Sequence, residues 1–378
     1  MKKLVCSIFL IPMAFLLLSS CGGNVKTAGQ TSDADTLKPF KLGVGVNVSH
    51  WLSQSEQRGE ARAQLITKKD FDSIAAMGFD HVRLPIDEEQ MYDEALNREE
   101  DAFKLLHNAL EWALEDGLNV IVDLHIVRSH HFNNENENAN TLFQDSVAQN
   151  RLVAIWMDLQ KDLKSYPNDR VAYEILNEAV APHHEDWNLL LNKVVMNIRK
   201  EEPTRTLLIG SNLWQTVQTF DSLRVPANDK NLILSFHFYS PDMITHYRAP
   251  WTSMKDYDGP VTYPGRPIVD TTTVYKKYPK LASALRERNV EWNKNKMEQD
   301  MQPAIAKAKS LGLQLYCGEF GAYPKYIDKE LRMRWYKDMI SIFRENNIAN
   351  AHWCYKGDFP VVDANGSANE LPAMLTAK

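Results

Sequence analysis

The chain has 378 residues, of which 44% are hydrophobic and 24% charged, and its formal net charge is −6. A chain of this length and composition can build one large or two ordinary domains with a full apolar core. It has no basic stripe or arginine-rich arm, so nucleic acid is not expected as a partner.

The N-terminal segment MKKLVCSIFLIPMAFLLLSSCGG has the pattern of a processing signal. Two lysines precede an apolar run that is too short to span a membrane comfortably, and small residues precede Cys21. Leu18-Ser19-Ser20-Cys21 resembles a bacterial lipoprotein signal, in which the cysteine is lipidated and becomes the new N-terminus. The resemblance implies a signal peptide at 1–20, a polar flexible tether at 21–38, and a protein anchored to the bacterial cell envelope by lipid alone. An ordinary secretory signal with an incidental cysteine is the alternative.

Short apolar runs, separated by amphipathic stretches, predict eight strands. They are KLGVGVN from 41, DHVRLP from 80, LNVIVDLH from 118, RVAYEILNE from 170, TLLIGS from 206, NLILSFHFY from 231, LQLYCGEF from 313 and NAHWCYK from 350. Helices are predicted between them at 67–77, 101–116, 142–165, 187–200, 296–310 and 328–346.

Eight strand–helix units predict a single-domain α/β fold at 39–378, a closed parallel (β/α)8 or TIM barrel. The fifth unit is weak, because 214–222 is a poor helix. A doubly wound open sheet is the alternative, but its glycine-rich phosphate loop is missing, since Gly43-Val44-Gly45 neither continues to a third glycine nor opens a helix.

Two inserts interrupt this pattern. Residues 130–140 are rich in Asn and Glu and predict a solvated loop, in which His130 and His131 are expected to be ordinary loop residues. Residues 240–292 are rich in Pro, Tyr and Trp and are too apolar to be disordered. In a barrel, both inserts fall on the face that carries the carboxyl ends of the strands, where active sites form.

Polar and aromatic side chains collect at the predicted strand ends. In a barrel these ends converge on one bowl, so the groups are expected to share a site. They are Arg83, His125, Asn177, Glu178, His237, Tyr239, Glu319 and Trp353. Two carboxylates facing each other across a barrel mouth suit glycoside hydrolysis, in which one donates a proton and the other attacks the anomeric carbon or activates water.

The segments HVRLP, YEILNEA, FHFY, YCGEFG and HWCYKGDF resemble, in this order, the motifs of glycoside hydrolase family 5, the cellulase family of retaining β-glycanases. The resemblance runs from about Lys41 to Asp358. It implies that Glu178 is the acid/base and Glu319 the nucleophile. It also implies that the rest of the usual site matches Arg83, His125, Asn177, His237, Tyr239 and Trp353. Ile126 follows His125 where many members have a second histidine, which leaves the subfamily open.

Three further side chains are candidates for substrate binding. His50 follows the first strand and either lines the bowl or packs in the core. Trp214, after the fifth strand, is a candidate sugar platform. Trp251 lies in the 240–292 insert, which is predicted to form one wall of an open cleft; the alternative is that the aromatic residues of the insert only pack it onto the barrel.

No metal site or cofactor is expected, since no zinc-type spacing of cysteine and histidine is present. No disulfide is expected between Cys317 and Cys354, because alternation along the strands predicts that Cys317 shares the inward face of Glu319 while Cys354 faces outward.

The predicted function is that of a monomeric retaining endo-β-glycanase that hydrolyses β-1,4-glucan. Related activities on mannan, xyloglucan, mixed-linkage glucan or β-1,3-glucan are alternatives, because the loops that select the substrate cannot be folded from sequence. A non-enzymatic alternative is a glycan-binding surface lipoprotein built on an inactive barrel. The presence of both Glu178 and Glu319 argues against this alternative.

Overall fold

The structure, a computed structural model, describes residues 38–133 and 140–377. The predicted signal peptide, Cys21, all of the tether before Lys38 and most of the 130–140 loop lie outside the described residues. Eight parallel strands pair in chain order into one closed barrel. The strands are β1 (Val44–Asn47), β2 (His81–Asp87), β3 (Asn119–Ile126), β4 (Val171–Glu174), β5 (Leu207–Gly210), β6 (Leu232–His237), β7 (Gln314–Phe320) and β8 (Ala349–His352). The predicted (β/α)8 barrel is therefore confirmed.

Helices surround this barrel, and the six predicted from sequence begin and end within four residues of their predicted bounds. The helices are α1 (Gly59–Ala63), α2 (Lys68–Ala76), α3 (Glu88–Met91), α4 (Glu100–Glu115), α5 (Ser146–Leu163), α6 (His184–Glu201), α7 (Asp242–Thr245), α8 (Thr271–Lys277), α9 (Ala282–Arg288), α10 (Lys294–Leu311), α11 (Lys329–Glu345) and α12 (Glu370–Leu375). Between β5 and β6 there is only a 3-10 helix, Val217–Ser222, as the weak fifth unit predicted. Among the described residues, no helix is both long and apolar enough to span a membrane.

The helix ends are fixed by local polar groups. Thr67 and Asp70 form a capping box at the start of α2, with the Thr67 N–H donating to Asp70 at 2.8 Å. Asn293 caps α10, and Gly312 ends it in the left-handed region at φ 63°.

The barrel interior changes character from floor to mouth. The floor is apolar and contains Phe40, Ile121, Ala172, Leu208, Ile233, Tyr316, Ala349 and Ala351. Because side chains alternate along a strand, the next inward positions after Ile121 and Ala172 are Asp123 and Glu174, which lie beside Arg83. The barrel therefore has an apolar floor beneath a charged mouth.

A register shift in β7 overturns one prediction. Tyr316 lies in the interior cluster, whereas Cys317 packs in the outer layer between barrel and helices. The pairing of β7 with β6 skips Gly318, so Glu319 faces the bowl although Cys317 does not. Cys317 and Cys354 are both free in the structure. The predicted inward position of Cys317 is wrong, because the irregularity breaks the two-residue alternation.

The 240–292 insert has a small apolar core of its own. Helices α7, α8 and α9 surround buried Met243, Met254, Tyr257, Ile268, Val274 and Leu285. Tyr263 is buried as well and donates from its hydroxyl to Asp338 of α11 at 2.6 Å, which ties the insert to the barrel. Tyr257 and Tyr263 therefore pack the insert, as the alternative reading of its aromatic residues predicted.

Candidate active site

Arg83 is the centre of the bowl and is fully buried. Its guanidinium donates hydrogen bonds to four side chains, Glu174 (2.7 Å), Glu319 (2.7 Å), Asn47 (3.0 Å) and Asn177 (2.8 Å), and forms an ion pair with Asp123 at 3.0 Å. The guanidinium thus ties together β1, β2, β3, β4 and β7. Burial raises the pKa of Asp123 to about 7, although the Arg83 cation opposes the rise.

Glu319 is held by hydrogen-bond donors on both carboxylate oxygens. Arg83 donates to Oε1 at 2.7 Å, and the Tyr239 hydroxyl donates to Oε2 at 3.0 Å. Burial raises the pKa of Glu319, while the Arg83 cation and the Tyr239 hydrogen bond both lower it. Because both contacts stabilise the charged form, Glu319 is the carboxylate of the pair that is suited to be ionised.

Glu178 has a backbone conformation that is rare for a residue with a side chain, with φ at 44°. Its N–H donates to Gln215 Oε1 at 2.8 Å, and its carbonyl accepts from His130 Nε2 at 3.2 Å. Its carboxylate Oε1 lies 2.8 Å from His237 Nδ1. Burial and the charge of Glu319 raise the pKa of Glu178 well above the ordinary range, so it is the group that keeps a proton.

His237 is neutral, since burial and the Arg83 cation lower its pKa well below the ordinary value. Its Nδ1 lies near Glu178 Oε1 at 2.8 Å and Glu319 Oε2 at 3.6 Å, so we place its single N–H there. That N–H occupies Glu178 Oε1 and leaves Oε2 of the same group to carry the acid proton.

The two carboxylates are close together. One oxygen of Glu178, one oxygen of Glu319 and a ring nitrogen of His237 all lie within 4.8 Å of one another. Retaining glycosidases hold their carboxyl groups about 5–5.5 Å apart, whereas inverting enzymes leave about 6.5–9.5 Å for a water molecule. The short separation fits the retaining arrangement. Glu319 already accepts hydrogen bonds on both of its carboxylate oxygens, from Arg83 and Tyr239, and Glu178 Oε1 lies 2.8 Å from His237 Nδ1.

Asn177 and His125 complete the floor of the bowl. Asn177 Oδ1 accepts from Arg83, and its buried Nδ2 has no hydrogen-bond partner among the described residues, so it is free to donate to a substrate. His125 Nδ1 lies 2.6 Å from Asp123 and its Nε2 lies 2.8 Å from Gln54 Nε2. With both ring nitrogens occupied, His125 contributes its ring face, which stacks on Trp353 at 5.5 Å.

Two adjoining cavities form the cleft above these residues. The Trp353 cavity, about 510 Å³, is lined by His125, Trp251, Glu319 and Trp353 among others. The Trp292 cavity, about 420 Å³, is lined by Gln218, His237, Val290 and Trp292 among others. Both are lined by Glu178, Trp214, Tyr239, Asp242, His246 and Arg288.

The candidate platforms differ in position. Trp214 is 42% exposed, lines both cavities and donates from its indole to the Phe132 carbonyl at 2.9 Å. Trp251 is 43% exposed and lines the Trp353 cavity, so the insert does form a wall of the cleft.

His50 lies beside the cleft and is not among the residues that line either cavity. Its ring is 6.0 Å from that of Trp353, and Nε2 is 3.4 Å from Asp358, which does line the Trp353 cavity. Burial lowers the pKa of His50, but hydrogen bonding to Asp358 raises it to about 10 overall. His50 is thus a cation that supports Asp358 and Trp353 at the edge of the Trp353 cavity.

Several site residues escaped the sequence analysis. His130 was predicted to be a loop residue, yet it is fully buried against the Glu178 carbonyl. Gln215 supports Glu178 from the end of β5, and Gln54 holds His125. The insert contributes Asp242, His246 and Arg288. Only Gln215 had a sequence signal, its place directly after Trp214 beyond a predicted strand.

Comparisons with known proteins agree with this geometry. Residues 43–358 match the family model described as "Cellulase (glycosyl hydrolase family 5)". The chain is 35% identical over 343 residues to "Endoglucanase C" of Acetivibrio thermocellus, an alignment that covers 88% of this chain and 98% of the relative. It is 26% identical over 306 residues to "Cellodextrinase A" of Ruminococcus flavefaciens, covering 81% and 83%. A solved structure titled "endoglucanase" superposes with a TM-score of 0.72 at 26% identity, covering 89% of this chain and 97% of that one.

Proposed function

Because the chain belongs to the cellulase family, glycosyl hydrolase family 5, we propose that it is a retaining endo-β-1,4-glucanase in which Glu178 is the acid/base and Glu319 the nucleophile. The observation that carries the mechanism is the separation of the two carboxylates, whose nearest oxygens lie within 4.8 Å. The different surroundings of the two carboxylates support the assignment of their roles.

Hydrolysis then takes two steps. In the first, Glu319 attacks the anomeric carbon while Glu178 gives its proton to the glycosidic oxygen, which leaves with the departing sugar chain. The sugar that remains is covalently bound to Glu319. In the second step Glu178, now a carboxylate, takes a proton from water, the water oxygen bonds to the anomeric carbon, and Glu319 leaves.

The neighbouring residues assist both steps. Arg83 and Tyr239 hold Glu319 charged and oriented. The unpartnered amide nitrogen of Asn177 can donate to the 2-hydroxyl of the bound sugar, a contact that strengthens in the transition state. Trp353, whose ring stacks on that of His125, offers a flat apolar face to the ring of the bound sugar.

Product stereochemistry tests this proposal. We expect proton NMR of the first seconds of cellotetraose hydrolysis to show a β-configured reducing end before mutarotation. An α-configured first product would overturn the retaining mechanism.

A reducing-sugar assay on cellulose, mannan, xyloglucan, mixed-linkage glucan and β-1,3-glucan ranks the substrates. Activity confined to one of the polymers other than cellulose would overturn the proposal that β-1,4-glucan is the substrate.

We further propose that Cys21 is lipidated and that the monomeric enzyme acts at the bacterial cell envelope. The support is the sequence MKKLVCSIFLIPMAFLLLSSC, with its lysines, apolar run and small residues before the cysteine. A single cysteine substitution tests this proposal. With Cys21→Ser, the enzyme is expected to move from the membrane fraction to the soluble fraction and to lose labelling by a radioactive fatty acid; unchanged labelling would refute it.

A further inference from the structure

The two cavities of the cleft differ in which carboxylate they contain. The Trp353 cavity is lined by Glu178 and Glu319, whereas the Trp292 cavity is lined by Glu178 and His237 without Glu319. In the first step the sugar under attack must contact both carboxylates, while the departing sugar needs to contact only the acid. The Trp292 cavity is therefore the side of the departing sugar.

The insert places an ion pair at the boundary between these cavities. Arg288 Nε of α9 donates to Asp242 Oδ2 of α7 at 2.7 Å, with the two side chains 31% and 47% exposed. Arg288 Nη1 donates only weakly, at 3.4 Å, to the Ala284 carbonyl of its own helix. Arg288 Nη2 and Asp242 Oδ1 have no side-chain partner among the described residues, so a donor and an acceptor remain available side by side.

His246 stands beside this pair and has a fixed protonation state. Burial lowers its pKa to about 4, so it is neutral. The Thr245 hydroxyl donates to the Tyr239 carbonyl, so it accepts from His246 Nδ1, 3.0 Å away. The lone pair is thereby on Nε2, and the residue lines both cavities. The insert thus offers a cation, an anion and a neutral acceptor next to Glu178.

We propose that Asp242 and Arg288 form a subsite for the departing sugar, in which the guanidinium and the carboxylate bind neighbouring hydroxyls of an uncharged β-linked hexose. The two charges cancel, which suits a neutral sugar, and their mutual hydrogen bond fixes both groups before binding, which lowers the entropy cost of recognition. This subsite rests on the proposed function, because it assigns the Trp292 cavity from the role of Glu178. Its consequence is that the insert selects substrates by their leaving group.

Two substrates distinguish the loss of this subsite from a general loss of activity. Cellotetraose occupies the departing side, whereas 2,4-dinitrophenyl β-cellobioside places only a phenol there. For Arg288→Ala we expect kcat/KM on cellotetraose to fall about tenfold, the effect of one lost hydrogen bond to a charged group, and to fall less than twofold on the aryl glycoside. Arg288→Lys, which keeps a donor, is expected to recover part of the loss.

A matched control lies on the same helix. Arg286 stacks on Tyr275 at 4.7 Å and lines neither cavity, so Arg286→Ala should leave both substrates unchanged. Equal losses on both substrates with Arg288→Ala, or no loss on either, would overturn the subsite.

A binding measurement distinguishes failure of the subsite from failure of the proposed function. In the Glu319→Gln background, calorimetry with cellotetraose should show weaker binding when Arg288→Ala is added. If wild-type protein fails to hydrolyse cellotetraose, the proposed function is wrong, and this loss of affinity would then show only that Arg288 takes part in sugar binding. If the affinity is unchanged and the wild-type enzyme is active, the subsite is wrong and the proposed function stands.

Discussion

The bowl of the barrel and the 240–292 insert border the same cleft, but they are held together differently. In the bowl, Arg83 is fully buried, makes four hydrogen bonds to side chains and forms an ion pair with Asp123 at 3.0 Å. In the insert, a small apolar core supports side chains that are about one-third to one-half exposed, such as Arg288, Asp242 and Trp251. A substitution in the buried, extensively hydrogen-bonded bowl is expected to cost much stability, whereas a substitution at the half-exposed rim is expected to cost little. The bowl therefore holds the two carboxylates, and we propose that the insert selects the chain that is cut.

The largest effect is expected from the two carboxylates. Glu319→Ala should reduce turnover of every substrate to near background, because no other group is placed to form the covalent intermediate. Glu178→Ala should lower turnover of oligosaccharides by roughly 10²–10⁴-fold while sparing the first step for a dinitrophenyl glycoside, whose leaving group needs no proton. Burst kinetics with that substrate checks both expectations. Similar losses for both variants on the aryl glycoside would contradict the assignment of Glu178 as the acid/base and Glu319 as the nucleophile.

Arg83→Lys should be the most damaging conservative change in the bowl. A lysine has three donors and no planar fork, so it cannot serve five partners, and it leaves buried carboxylates unpaired. We expect the free energy of unfolding to fall by about 3–5 kcal/mol and activity to fall on all substrates. Urea denaturation monitored by fluorescence measures the first effect. Arg288→Lys in the insert is the comparison and should leave stability almost unchanged; equal destabilisation would contradict the contrast between the two regions.

The support beneath Glu178 can be tested from two sides. Gln215 donates from Nε2 to Glu174 and Ser235 while its Oε1 holds the Glu178 N–H. Gln215→Met removes these contacts and should lower kcat on cellotetraose about tenfold. Gly210→Ala should produce the same loss, since an added Cβ would lie 2.4 Å from Gln215 Cγ.

The aryl glycoside supplies the control for this pair. Since Gln215 acts through the acid, activity on the dinitrophenyl substrate should fall much less for both variants. Normal kcat in both, with the protein folded by circular dichroism, would show that Gln215 does not position Glu178.

The dependence of activity on pH follows from the carboxylate pair. Because burial and Glu319 raise the pKa of Glu178, the proton required for catalysis is retained to a higher pH than on an ordinary carboxyl group and is lost as the pH rises through the raised value. Activity on cellotetraose should therefore fall on the alkaline side by up to tenfold per pH unit. The dinitrophenyl glycoside should show a much weaker alkaline decline. Identical alkaline limbs for the two substrates would mean that another group controls them.

The smallest effect is expected on the wall of the insert. Trp251 lines the Trp353 cavity from the insert, so Trp251→Ala should weaken hydrolysis of cellopentaose several-fold and leave a two-sugar aryl glycoside nearly unchanged. Tyr263→Phe is the matched packing control: it loses the hydrogen bond to Asp338 and should lower the melting temperature without altering the preference for chain length. A length-independent loss with Trp251→Ala, accompanied by a lower melting temperature, would assign Trp251 to packing.

The sequence predicted the barrel and the bowl well because both follow from periodicity and motif. The strand-end residues Arg83, Asn177, His237 and Tyr239 do meet around Glu178 and Glu319. The register shift at Gly318 has a local signal, an isolated glycine inside a strand, but simple two-residue alternation ignores it, so the predicted position of Cys317 was reversed. His130 and Arg288 escaped because their positions depend on how long segments fold back over the mouth.

The turn after β5 has a further consequence, which concerns heat. Leu213, Trp214 and Gln215 are consecutive residues with side chains in the left-handed region, at φ 59°, 59° and 51°, a conformation that costs roughly 1–2 kcal/mol for each residue. Tertiary contacts such as the hydrogen bond from the Trp214 N–H to the Ala179 carbonyl offset this cost, so on warming the turn is expected to open before the barrel does. Hydrolysis should then fail at a lower temperature than the one at which the helices melt. Leu213→Gly, which removes part of this cost, should bring the two temperatures closer together.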